Sequence, residues 1–122
     1  EYGPIFEAIT KKNLVAYAAG DIDAAAEMYD PQGVIVDRKS NTSYFGTEQH
    51  KKMIAEFLGM GKCEFAMLRK ELFDAGGNRF LADTEFESNF VESGVVMKGS
   101  SLQLYHKVGD QWKCVYEVYS MQ

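Results

Sequence analysis

Few of the residues that commit a chain to a specialised class are abundant here. Among 122 residues there are two cysteines, two prolines, two histidines and one tryptophan. Cys63 and Cys114 form no CxxC pair and no Cys/His cluster, so neither zinc-site spacing nor a disulfide framework is present. No metal and no cofactor is therefore expected, and a reduced, cytoplasmic location fits the cysteine usage. No apolar run approaches the roughly 20 residues that span a bilayer, so a membrane is not expected as a partner. Acidic residues outnumber basic ones by 18 to 13, and the net charge is −5. With no basic stripe to meet phosphates, nucleic acid is not expected either. The start shows no signal-peptide pattern, and residue 1 is Glu rather than Met, which leaves room for an earlier segment.

What is present is the composition of one soluble globular domain over residues 1–122, with 46% hydrophobic and 25% charged residues. Residues 4–19 read as a helix: Ile5, Phe6, Ile9, Asn13 and Tyr17 recur at steps of three and four, and Pro4 suits a first helical position. Gly20 stops it. Asp21 caps a second helix through the Ala24-Ala25-Ala26 run, which Pro31 and Gly33 end by Asp30. Val34-Ile35-Val36 is a strand closing on Asp37. The polar stretch 38–46 is a loop with possible local strand. Thr47 caps a third helix through Leu58 with Met53, Ile54 and Phe57 as its stripe.

The second half is strand after strand: 64–74, 79–91, 95–107 and 111–121, joined by short turns. In 79–91 the alternation is clean, with Phe80, Ala82, Thr84, Phe86, Ser88 and Phe90 on one face and Leu81, Asp83, Glu85 and Glu87 on the other. Three helices followed by an antiparallel meander make an α+β domain with helices on one face of the sheet. Strands this long must twist and bend, and a bent sheet folded over helices leaves a concave interior.

Several residues are candidates for a site in that interior. If Asp37 faces it, the carboxylate is a candidate general base; if it faces water beside Arg38, it is a turn residue. Asn13 is a polar interruption of an apolar helical stripe, fit for a ligand or water or for the stripe's edge. Tyr17 lies one turn on, with a hydroxyl at the rim of the core. His50 sits on the apolar side of the third helix, where a histidine is either structural or titrates near neutrality. No nucleophile, base and orienting group fall together, so no catalytic triad is indicated.

Three stretches, "GDIDAAAEMYDPQGVIVD", "YFGTEQHKKMIAEFL" and "YHKVGDQWKCVYEVYS", resemble the nuclear-transport-factor-2-like superfamily, in its SnoaL-like and ketosteroid-isomerase-like branch. The resemblance covers nearly the whole chain. It implies a cone-shaped, cystatin-like α+β roll, with three helices packed in a strongly curved, mostly antiparallel sheet. It also implies that the proton-moving acid of such isomerases falls on Asp37, while the two oxyanion donors fall on Asn13 and near Leu102. Neither of those is an acidic donor, so steroid isomerisation is not expected. Three functions follow: a domain binding a small apolar ligand in a central cavity through Asn13, Tyr17, His50 and Leu102; an isomerase, cyclase or dehydratase using Asp37 as general base; or a dimeric association module. The resemblance, with Val95, Met97 and Tyr105 on one side of the third long strand and Val115, Tyr119 and Met121 on one side of the fourth, implies a homodimer through the outer sheet face.

Overall fold

A computed structural model describes residues 1–121. Its elements in chain order are α1 (Gly3–Ala19), α2 (Ile22–Ala26), β1 (Tyr29–Asp37), β2 (Thr42–Phe45) and α3 (Thr47–Phe57) with a 3₁₀ turn at Leu58–Met60. The long strands β3 (Cys63–Asp74), β4 (Arg79–Phe90), β5 (Val96–Val108) and β6 (Gln111–Met121) follow.

The helix ends follow local chemistry. Gly20 takes a left-handed φ of 71° and its N–H meets the carbonyls of Ala16 and Tyr17, which closes α1. One residue later the Asp21 side chain accepts from the Ala24 N–H at 3.0 Å and opens α2. The second helix is shorter than the sequence suggests. It ends at Ala26, and β1 begins at Tyr29 rather than Val34. The reason is tertiary: Cys114 N–H on β6 takes the Met28 carbonyl at 2.8 Å, which draws residues 29–33 into the sheet as an irregular strand start. The cap of α3 also differs, with Gly46 at the N-cap and Thr47 already helical. The Gln49 side chain instead accepts from the Phe45 N–H at 2.6 Å.

All six strands form one sheet in the order β2-β1-β6-β5-β4-β3. The meander β3 to β6 is antiparallel, whereas β1 enters beside β6 in parallel. Thus α3 lies in the chain between two segments that pair with each other, α1 and α2 precede both, and the curved sheet packs against the helices. The alternation expected of β4 is found: Phe80, Ala82, Thr84, Ser88 and Phe90 are buried on the helix side. Phe6 from α1 packs edge-on against both Phe80 and Tyr105.

The residues expected on the outer face need correction. Tyr105 pairs with Phe80, Met97 with Ser88 and Tyr119 with Ser101, so these side chains share the inner face. Met121 pairs with Gly99 and belongs there too. The outer face is built instead from the opposite parity. One unbroken row crosses all six strands: Phe45, Val34, Tyr116, Leu104, Leu81 and Phe73.

Candidate functional site

On α1, Phe6, Thr10, Asn13 and Tyr17 are spaced four, three and four apart, so one helical face carries all of them. That face looks across at β4, β5 and β6. Between them lies a cavity of about 480 Å³, open to solvent and lined by these residues with Tyr29, Phe65, Phe86, Gln103, Tyr105 and Glu117. The size falls within the usual range of small-molecule sites.

Glu117 gives the cavity its chemistry. The inner-face register sets Ala82, Gln103, Glu117 and Ile35 side by side on four adjacent strands. Ile35 is fully buried and Glu117 only 8% exposed, so an acid is held in the middle of the sheet's covered face. Burial pushes its carboxyl above the ordinary value, because a charge there loses its water. Hydrogen bonds from Tyr29 and Gln103 oppose that shift without cancelling it. The Tyr29 hydroxyl donates to Glu117 Oε1. The Gln103 carbonyl oxygen accepts from the Tyr105 hydroxyl at 2.8 Å, which turns the Gln103 amide N–H groups toward Glu117. Two donors therefore converge on a single carboxyl, Tyr29 directly and Gln103 with Tyr105 behind it.

The neighbouring phenols are raised as well. Burial, followed by the nearby Glu117 carboxyl, holds Tyr17 and Tyr29 far above their ordinary values. Both are donors at every physiological pH. Further along the wall, the hydroxyls of Thr84 and Ser101 share a hydrogen bond of 2.8 Å. Asn13 brings an amide whose Oδ1 is buried and has no partner.

The residues singled out from sequence are divided by the structure. Asn13 and Tyr17 line the cavity with Glu117. Asp37 does lie on the inner face, paired with Tyr119, but beyond the end of this cavity. It borders a separate hollow of about 240 Å³ with Tyr44, Met53, Glu56 and Met97. Its Oδ1 accepts from the Lys39 and Ser40 N–H groups at 3.0 and 3.3 Å, and its Oδ2 from the Tyr119 hydroxyl at 3.2 Å. Asp37 thus anchors the turn after β1. His50 is buried under the sheet, not at the cavity: its Nε2 lies 2.7 Å from the Gly33 carbonyl, so that nitrogen carries the proton. Leu102 requires correction. It pairs with Val118 and Asp83 on the outer face, is 37% exposed, and touches no part of the cavity.

Glu117 itself was missed by sequence reasoning. The signal available was one charged residue inside "VYEVY", an otherwise apolar and aromatic strand. Both cysteines are free and buried. Among the described residues, no group of three or more His, Cys, Asp or Glu side chains is placed to hold a metal ion, and no helix is long and apolar enough to cross a membrane.

No protein-family model and no curated protein matches the sequence. Solved structures match over nearly the full length. A protein of Xanthomonas campestris described as a candidate calcium/calmodulin-dependent protein kinase II association domain superposes with a TM-score of 0.87 at 18% identity, covering 100% of this chain and 88% of its own. A ketosteroid isomerase-like protein of Erwinia carotovora atroseptica gives 0.77 at 18% identity, covering 99% and 96%. A nuclear-transport-factor-2-like protein of unknown function from Pseudomonas putida gives 0.79 at 19% identity, covering 96% and 84%. The chain has the nuclear-transport-factor-2-like, cystatin-like α+β fold.

Proposed function

We propose that this protein is a small-ligand-binding domain whose cavity presents the buried Glu117 carboxyl to an uncharged, largely apolar molecule bearing an oxygen. The single observation that supports this most is a carboxyl buried among aromatic side chains in a cavity open to solvent, where loss of water favours its neutral form. A carboxyl costs stability there as a charge, yet as a neutral group it donates a hydrogen bond. The surrounding aromatic wall supplies apolar surface, and Tyr17, Tyr29 and Gln103 supply orientation. A raised carboxyl beside bound substrate is also the group that moves protons near neutral pH, so an isomerase- or dehydratase-type reaction is a second reading, with Glu117 in place of Asp37. Native mass spectrometry of freshly purified protein tests the binding. A co-purifying small molecule that is lost in Glu117→Leu supports it. An adduct that persists unchanged in that variant speaks against the cavity as its seat.

An association role rests on a different feature. The row from Phe45 to Phe73 spans about 24 Å at the usual strand spacing, and Phe45 is 62% exposed while Tyr116 is 38% exposed. A second copy of this chain packed on that face is the partner we infer. Sedimentation of the wild type at micromolar concentration should give a dimer, and Tyr116→Asp should give a monomer. A monomeric wild type would overturn the dimer.

A further inference from the structure

A second cleft, of about 590 Å³, opens beside α1 on the side away from β3 and is walled by Ile5, Ile9, Ala24, Met28 and Trp112. Two residues, Asn13 and Met28, line both this cleft and the interior cavity. They are the partition between the two spaces. We propose that cavity and cleft are two compartments of one site for an elongated, uncharged amphiphile, a linear alcohol or ketone, with Met28 as the movable side chain between them. This rests on the reading of the interior cavity as a ligand site.

Met28 is suited to that place. It sits in the short turn between α2 and β1, where its carbonyl is fixed by the Cys114 N–H at 2.8 Å. The backbone is thereby held, while the side chain is only partly buried against the core. The thioether is touched by one weak donor, the Tyr105 hydroxyl at 3.7 Å. Methionine is unbranched, with soft torsions, and it yields to an occupant at little cost. A leucine or isoleucine at the same place would be a fixed wall.

The direction of the ligand follows from the linings. Inside, the Glu117 carboxyl and the unpartnered Asn13 Oδ1 offer hydrogen-bonding positions for a hydroxyl or carbonyl. A charged head at this buried position would lose its water just as a Glu117 carboxylate would, so the polar end is uncharged. Outside, the cleft wall carries Ile5, Ile9, Ala24 and the Trp112 indole, which is held in place by Phe80 and Tyr2, together with the polar side chains of Lys12, Glu27, Gln111 and Lys113. An apolar tail leaving the cavity past Met28 would lie along that wall.

Trp112 is the only tryptophan in the chain and lines the cleft but not the interior cavity, so its emission reports on the cleft wall. Hexan-1-ol and decan-1-ol, titrated into the wild-type protein and followed by calorimetry and tryptophan fluorescence, provide the test. Both alcohols are expected to bind. Decanol should bind more than tenfold more tightly, because its extra methylenes reach the cleft, and it alone should shift the Trp112 emission to shorter wavelength. Met28→Phe, which fills the partition, should reduce the decanol advantage to about threefold or less. Met28→Ala should keep it. Equal Trp112 responses to the two alcohols, or an undiminished decanol advantage in Met28→Phe, would overturn the two-compartment site and leave the interior cavity standing. Failure of both alcohols to bind the wild type would overturn the cavity reading together with this one. The two-alcohol comparison on the wild type decides independently of whether the variants fold.

Discussion

The hydroxyl of Tyr29 donates a hydrogen bond to the carboxyl of Glu117. It ties the first residue of β1 to the middle of β6 across 88 positions of sequence, at the one place where the parallel pairing of β1 and β6 begins. The bond joins fold and site. It ties β1 to β6 inside the curved sheet, and it fixes the carboxyl that the cavity presents.

Glu117→Gln should stabilise the protein at neutral pH. Burial raises the Glu117 pKa in the folded state, so folding is favoured by the protonated form. That contribution is fully present below the ordinary carboxyl value and is lost as pH rises through the raised folded value. Glutamine is neutral throughout and still accepts from Tyr29. Urea denaturation at pH 8 should show Glu117→Gln more stable than the wild type, and the difference should shrink as pH falls below the ordinary carboxyl value. A wild type that gains stability between those values as pH rises would contradict the assignment.

Tyr29→Phe should act in two directions at once. Loss of a buried hydrogen bond to an acid costs about 1–3 kcal/mol. The same bond lowers the Glu117 pKa, so its removal should raise that pKa further. A carbon-detected NMR titration of the Glu117 carboxyl reads the second effect, which a mere packing defect would not produce.

Gly99→Ala should both destabilise the protein and narrow the cavity. An added Cβ would stand 2.7 Å from the Phe86 ring and 2.9 Å from the Ser120 carbonyl. The backbone carbonyl cannot give way easily, while the Phe86 ring can swing only into the cavity that it lines. A cost of roughly 1–3 kcal/mol is expected, seen as a lower denaturation midpoint, with weaker binding of any ligand captured by the wild type.

Asp37→Ala should loosen the turn and spare the cavity. Two backbone N–H groups and the Tyr119 hydroxyl lose their acceptor, at about 1 kcal/mol or a little more. Hydrogen exchange at residues 39 and 40 should speed up. Ligand capture should equal that of the wild type; its abolition would return Asp37 to the candidacy that its place at the strand end suggested. Steroid Δ5-to-Δ4 isomerisation should be absent from both proteins in an ultraviolet assay, since Leu102 faces outward and Asn13 is no acidic donor.

Much of the scaffold was determined by the sequence alone, because it depends on neighbours a few residues apart. Gly20 and Asp21 end one helix and start the next through their own backbone and side chain. The 3.6-residue period set Phe6, Asn13 and Tyr17 on one face, and strict alternation sorted Phe80 to Phe90. What alternation could not determine is which face of each later strand turns inward, and tertiary pairing decided that. Tyr105 is inside because it lies opposite Phe80. In β6 one extra residue, Val115, interrupts the pairing with β5, so Cys114 and Glu117 both face inward although they are three residues apart. A simple period of two fails across that bulge, and with it the sorting of Glu117 and Tyr119. Whether a charged residue in "VYEVY" meets water or the core depends on the register of strands paired across the whole chain, and only the folded sheet fixes that register.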